Sequence, residues 1–188
     1  MFSNFYVTAK CESLGLPFSD KGFCNGVSLR WIEACLVGQE DMFNQHIKAI
    51  AFSRLDTSAS LAFLTSVILY QHSNHYFALF NTVLTQSHSH IQSIAELASS
   101  DPIRKAGGLK RIYSSTFLYK QEALEQYISS LAEKLQASKS DIPVGVFLSS
   151  ISSGHAIALT YTRNVGWKFL NSSDVDAKAF NLNEQNLL

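Results

Sequence analysis

The sequence has no excess of charge of either sign, because 15 lysines and arginines balance 15 aspartates and glutamates in 188 residues. Nucleic-acid binding needs a concentrated positive surface, so this balance argues against a nucleic-acid partner. A long apolar run is also missing. The most apolar stretch, Leu61–Tyr70, has about half of the roughly 20 residues that a membrane-spanning helix needs. We therefore expect a core helix there, and membrane association has no support.

Cysteine is scarce as well. The three cysteines, Cys11, Cys24 and Cys35, are too few and too unevenly spaced for a disulfide framework or a C-x-x-C zinc site. On one continuous helix Cys24 and Cys35 would lie about 16 Å apart, beyond the reach of a disulfide. Free thiols suit a reducing compartment. Residues 1–6 lack the basic stretch and apolar run of a secretory signal, so no signal peptide is expected.

Metal and phosphate motifs are missing too. His72 with His75, and His88 with His90, have no H-E-x-x-H pattern, so we interpret them as residues of helix ends or loops. The basic segment 105–111 lacks the G-x-x-x-x-G-K-[ST] spacing of a phosphate-binding loop. We therefore predict neither a metal site nor a cofactor.

Helical patterns dominate the chain up to about residue 140. Residues 1–22 are predicted to be an irregular or briefly extended lead-in, and Gly38 marks the end of the first long helix. A turn or a further helix begins at Asp101-Pro102. The segments with helical spacing of apolar residues are 24–37, 40–52, 57–70, 75–84 and 121–137.

The pattern changes after Pro143. Runs rich in β-branched and aromatic residues predict strands at 144–148, 155–162 and 167–170, and residues 163–166 predict a tight hairpin turn. The sequence therefore predicts an α+β chain. We expect one domain over residues 1–188, with a helical lobe over about 1–140 and an antiparallel sheet over about 141–188. The tail from Asp174 gives no firm element.

Cys24 stands at the predicted start of a helix. There the thiol meets the partial positive charge and unpaired N–H groups of the helix end, which favour the nucleophilic thiolate. Apolar residues cover most sides of this helix, so that Arg30, Glu33 and little else should face solvent. A structural cysteine on a core helix is the simpler alternative.

His155 begins the second predicted strand, and Asn171 lies at the end of the third. If these strands pair antiparallel about the predicted turn, the two side chains lie at one end of the sheet, within contact distance. An Asn or Asp that binds one imidazole nitrogen leaves the other nitrogen to pair with a thiol. Cys24, His155 and Asn171 are therefore the candidate catalytic residues. A structural strand histidine is the alternative.

Two segments resemble a known family. Residues 22–32, GFCNGVSLRWI, resemble the G-x-C-x-x-[LV]-S-x-x-W motif around the catalytic cysteine of YopT/AvrPphB-type bacterial effector cysteine peptidases. Residues 154–156, Gly-His-Ala, and the strand ending at Asn171 resemble that family's histidine strand and the strand after it. The resemblance implies a papain-like fold with Cys24 as nucleophile, His155 as general base and Asn171 as orienting residue. It also implies an effector, delivered without a signal peptide, that acts on a host protein in the host cytosol.

The sequence departs from the family pattern at the third catalytic residue. This residue is usually Asp in the family, whereas here the stretch reads Asn171-Ser172-Ser173. Asp174 or Asp176 is therefore an alternative partner of the histidine.

A second departure concerns the oxyanion hole. Papain-like enzymes take a donor from a Gln or Asn about six residues before the cysteine, where this chain has Phe18. The backbone N–H of Cys24 is one remaining donor, and the hydroxyl of Ser19 is a candidate for the second.

The residues and the resemblance together predict a cysteine protease that cleaves a protein substrate through an acyl-enzyme. The same triad supports deamidation, transglutamination and other acyl transfer. A non-catalytic interaction domain on the same scaffold is the alternative from another class. The reactivity of the Cys24 thiol distinguishes the enzyme from the interaction domain.

Overall fold

The computed structural model describes residues 4–17, 22–52, 57–72, 100–110, 112–113, 121–150 and 154–172. Within these ranges the fold is α+β, with six helices and one three-stranded antiparallel sheet. The helices are α1 (Asn4–Ser13), α2 (Cys24–Leu36), α3 (Glu40–Ala51), α4 (Thr57–Gln71), α5 (Asp101–Lys105) and α6 (Gln121–Ala137). The strands are β1 (Val144–Ser149), β2 (Ala156–Thr162) and β3 (Gly166–Asn171). None of the described helices is long and apolar enough to cross a membrane.

Most of the predicted elements are confirmed to within a residue or two at each end. These are the helices predicted at 24–37, 40–52, 57–70 and 121–137, the turn or helix at Asp101, and the three strands. The hairpin turn at residues 163–165 is also present. The predicted helix at 75–84 and the tail from Asp174 lie outside the described residues.

The prediction for the N-terminal segment was wrong, because residues 4–13 form helix α1. This segment contains neither glycine nor proline, and Gly15, with a φ of +65°, follows its end. Val7 and Cys11, one helical turn apart, are buried, and α1 packs against α3. A short helix of this kind is stabilised by tertiary packing, which weak amphipathicity in the sequence does not reveal.

Helix α2 lies between α4 and the sheet, and two glycines allow the close approach on both sides. A Cβ built on Gly26 would lie 2.2 Å from the backbone oxygen of Val67 in α4. A Cβ built on Gly145 in β1 would lie 2.3 Å from Cγ2 of Ile32. Both positions therefore require glycine for packing rather than for backbone conformation.

The sheet has the order β1-β2-β3, so β2 is central and pairs with both neighbours. Alternate residues of β2 face opposite sides. Ala158 and its cross-strand neighbours Phe147 and Leu170 pack into the core that contains α2. Leu159 and residues on the same side pack against Ile128 of α6. The sheet is therefore covered by α2 on one face and by α6 on the other.

The expectation that Glu33 faces solvent was wrong. The side chain is only 1% exposed and forms an ion pair with Arg30 on the same helix. The hydroxyl of Tyr70 in α4 donates a hydrogen bond to Glu33 Oε1 at 2.8 Å. Arg30 also lies over the ring of Phe63, 6.0 Å from its centroid. A buried carboxylate needs such partners, and two of these contacts come from α4, which the periodicity of α2 alone does not predict.

Candidate active site

The thiol of Cys24 sits at the N-terminal end of α2, since Cys24 is the first helical residue. In the first turn, the N–H of Gly26 donates to Gln71 Oε1 at 3.0 Å and the N–H of Val27 donates to the Phe23 carbonyl at 2.9 Å. The N–H groups of Cys24 and Asn25 have no acceptor in the part of the chain that the structure describes. The positive end of the helix is therefore directed at the thiol and the space beside it.

The thiol contacts the residue immediately before His155. Cys24 Sγ donates to the carbonyl oxygen of Gly154 at 3.4 Å, although the two residues are 130 positions apart. Gly154 has a φ of +64°, a left-handed conformation that favours glycine. Its N–H donates to the Ser150 carbonyl at 3.0 Å, and the N–H of Ser150 donates to the His155 carbonyl at 2.9 Å. The connection between β1 and β2 is thus closed by hydrogen bonds around the site.

His155 and Asn171 are in direct contact. The imidazole Nε2 lies 2.9 Å from Asn171 Oδ1, and the ladder between β2 and β3 places Asn171 opposite Ile157, two residues after the histidine. An amide oxygen can only accept, so Nε2 carries the proton of the neutral imidazole. Nδ1 is therefore the basic nitrogen, which is the protonation pattern that a thiol partner requires.

The side chain of Ser28 links α2 to β2. It lies one turn after Cys24, is fully buried, and donates from Oγ to the Ala156 carbonyl at 3.5 Å. The sequence analysis did not single out Ser28. The i, i+4 spacing of Ser28 from Cys24 could have indicated it, because this spacing places its hydroxyl on the same buried helix face.

Gln71 was also missed, and the sequence carries no local signal for it. His72, which the sequence analysis assigned to a helix end or loop, directly follows the end of α4. Gln71 ends α4 and accepts the hydrogen bond from Gly26. The ring of His72 meets the ring of Phe23 edge to face, with centroids 6.0 Å apart. The end of α4 therefore supports the residues on either side of Cys24 through contacts that depend on the tertiary fold.

Several predicted residues cannot be placed. Ser19, Asp174 and Asp176 lie outside the described residues, as do the histidines His75, His88 and His90. Within the described ranges, no group of three or more His, Cys, Asp or Glu residues could hold a metal ion. Among the described residues, Asn171 lies at the imidazole of His155.

The described residues around the thiol differ in exposure. Cys24 is 2% exposed, whereas Asn25 and His155 are half-buried and Gly154 is exposed. A cavity of about 260 Å³ lies elsewhere, between α2, α3 and α5, and its lining includes Arg30 and His46 but none of the three candidate catalytic residues. It is therefore separate from the candidate active site.

Comparison of the chain with protein-family models, with curated proteins and with solved structures finds no match. The resemblance to the YopT/AvrPphB type of peptidase therefore stays a prediction based on residues 22–32 and 154–171. What the geometry does show is a thiol at a helix end, in contact with the residue before a histidine, and an amide oxygen against Nε2 of that histidine.

Proposed function

We propose that this protein is a thiol hydrolase of papain-like architecture, with Cys24 as nucleophile, His155 as general base and Asn171 as orienting residue. One observation carries the proposal. The Cys24 thiol lies 3.4 Å from the carbonyl of Gly154, the residue next to His155, whose Nε2 is held 2.9 Å from Asn171 Oδ1. Nucleophile, base and orienting group in this order are the arrangement that covalent acyl transfer uses.

In the first half of the reaction, Nδ1 of His155 accepts the thiol proton and the thiolate attacks the carbonyl carbon of an amide. The electron pair of the C=O π bond moves to oxygen and then returns as the C–N bond breaks. The leaving amine takes the proton from His155, and the acyl group remains on Sγ as a thioester. Water, deprotonated by His155, then attacks the thioester and releases a carboxylic acid, which restores the thiol.

The contact of the Cys24 thiol with the Gly154 carbonyl is the starting point of the proposed reaction. This contact holds Sγ beside the residue that precedes His155. In the proposed reaction, rotation about the Cα–Cβ bond of Cys24 moves Sγ from the Gly154 carbonyl towards His155. The neighbouring helix end then stabilises the thiolate that forms.

The wider proposal follows the motif resemblance. A helical part that carries Cys24 on α2, packed on an antiparallel sheet that carries His155 and Asn171, is consistent with a papain-like fold. Residues 22–32 support a peptidase of the YopT/AvrPphB type, and hence a protein substrate. We extend the proposal to a bacterial effector that cleaves a host protein in the host cytosol, in a reaction that needs no cofactor.

A second candidate function is a protein-interaction domain without catalysis. The observation that favours it is the burial of Cys24, which is 2% exposed, as expected of a structural core thiol. In that case the thiol would be unreactive, and the contact between His155 and Asn171 would serve stability alone.

The experiment that tests the proposal is acylation by p-nitrophenyl acetate, followed by release of p-nitrophenolate and by peptide mass spectrometry. We expect one acetyl group on Cys24, formed in an initial burst and then removed by water. The His155→Ala variant should be acylated more slowly by a factor of about 100, the typical contribution of a general base. Absence of acetylation at Cys24 in the wild type would contradict the proposal and support the interaction domain.

A further inference from the structure

The carboxamide of Asn25 lies next to the thiol of the candidate nucleophile. Asn25 Oδ1 lies 4.0 Å from Cys24 Sγ. The residue is half-buried, and its carboxamide makes no other hydrogen bond in the described part of the chain. A half-turn about χ2 exchanges Oδ1 and Nδ2 without changing the shape of the side chain. The N–H₂ group can therefore occupy the position beside the sulfur.

The chemistry of acyl transfer needs a donor at this place. When the thiolate adds to a carbonyl, negative charge develops on an oxygen two bonds away from Sγ, and preorganised N–H donors stabilise that charge. The backbone N–H of Cys24 is one such donor, because it has no acceptor in the described ranges. Asn25, the next residue on α2, lies in the first helical turn with its carboxamide beside the thiol, where the N–H groups at the helix end also lie.

We infer that Asn25 is a further catalytic residue, whose side-chain N–H₂ donates to the oxyanion of the tetrahedral intermediate together with the backbone N–H of Cys24. This inference rests on the proposed function. The side-chain donor of the oxyanion hole then comes from the residue after the nucleophile. In the papain-like pattern, this donor comes from a residue about six positions before the cysteine.

Two reagents test this role, one whose reaction with the thiolate forms an oxyanion and one whose reaction does not. Iodoacetamide alkylates a thiolate by displacing iodide from a saturated carbon, so no oxyanion forms. p-Nitrophenyl acetate acetylates the same thiolate through a tetrahedral oxyanion and releases p-nitrophenolate. Both rates are measured at Cys24, by peptide mass spectrometry and by the p-nitrophenolate burst, in wild type and in Asn25→Leu. Leucine is nearly isosteric with asparagine, uncharged, and has no N–H donor.

We expect Asn25→Leu to lower the acylation rate by about tenfold or more and to leave the alkylation rate within a factor of about two. Asn25→Ala should behave in the same way, which keeps the test valid if the leucine variant fails to fold. Asn44→Leu, on the half-buried face of α3, is the matched control and should leave both rates unchanged. A merely structural role of Asn25 would lower both rates together.

Equal acylation rates for wild type and both Asn25 variants would overturn this role while leaving Cys24 as the nucleophile. A parallel loss of alkylation and acylation would also overturn it, because it would show damage to the thiolate rather than loss of an oxyanion donor. A wild-type Cys24 that reacts with neither probe would contradict the proposed function itself and, with it, the role of Asn25.

Discussion

Nε2 of His155 lies 2.9 Å from Oδ1 of Asn171, across the hairpin that joins β2 and β3. The short turn at residues 163–165 sets the strand register, so the geometry of this contact is fixed by the sheet rather than by a mobile loop. The amide oxygen selects the imidazole tautomer whose basic nitrogen is Nδ1. In the proposed function, this tautomer suits His155 to accept the proton of a thiol.

Removal of the amide should weaken the base without removing it. We expect Asn171→Leu to lower the acylation rate of Cys24 by about fivefold, the equivalent of one net hydrogen bond of about 1 kcal/mol. Asn171→Asp keeps the acceptor oxygen and should retain most of the rate. Asn44→Leu, on the half-buried face of α3, is the control. Wild-type acylation kinetics in Asn171→Leu would show that the contact has no role in the reaction.

The hydrogen bond of Ser28 should contribute mainly to stability. Ser28→Ala removes the bond to the Ala156 carbonyl from a fully buried position, so we expect the free energy of unfolding to fall by about 1 kcal/mol. Ser66→Ala is a suitable control, because Ser66 donates to the carbonyl of Phe63 within its own helix. Urea unfolding of both variants measures the difference. If Ser66→Ala lowers the free energy of unfolding more than Ser28→Ala does, the expected contribution of the hydrogen bond between α2 and β2 is contradicted.

Gly26→Ala should disturb both stability and the site. Alanine is the better helix former by about 1 kcal/mol, but its Cβ would collide with the backbone oxygen of Val67, 2.2 Å away. Because the backbone cannot move aside as a side chain can, we expect the free energy of unfolding to fall by about 2 kcal/mol. We also expect slower alkylation of Cys24.

Gly38→Ala is the control for that variant. Gly38 has a φ of +70° and no atom within 4 Å of the added Cβ, so the substitution introduces backbone strain of about 1 kcal/mol without a clash. Its free energy of unfolding should fall while the alkylation rate of Cys24 stays at the wild-type value. Slower alkylation in Gly38→Ala alone would argue against the packing role of Gly26.

The two other cysteines should be poor nucleophiles. Burial raises the pKa of the Cys11 thiol to about 11. Burial, reinforced by the charge of Glu40, raises the pKa of Cys35 to about 12. At pH 8 both thiols are therefore almost fully protonated, and iodoacetamide should modify them far more slowly than Cys24.

The charge of Glu40 determines the direction of the change that we expect at Cys35 when Glu40 is replaced. Glu40→Gln removes a negative charge that raises the pKa of Cys35, so the thiolate fraction and the alkylation rate of Cys35 should increase. The rate at Cys11 should stay the same, because its pKa shift has burial as its cause. Peptide mass spectrometry follows both residues in one sample, and a slower reaction of Cys35 in the variant would be contrary to expectation.

Local signals predicted a large part of the fold. The spacing of apolar residues located α2, and the residues of the hairpin turn set the register that joins His155 to Asn171. The contact between Cys24 and Gly154 depends instead on how α2 packs against the sheet. The burial of Glu33 was not predictable from α2 alone, because it depends on Tyr70 of α4. Gln71, at the end of α4, was missed for the same reason: its partner is 45 residues away.

The most direct test of the central claim is the rate of iodoacetamide alkylation at Cys24, measured between pH 5 and pH 9 in wild type and in His155→Ala. If the thiol is paired with the imidazole, alkylation in the wild type stays fast at pH 6, and the variant loses at least about tenfold of that rate. If alkylation rises only near the pH at which a free thiol ionises, about 8.5, and is the same in both proteins, Cys24 is not a nucleophile activated by His155.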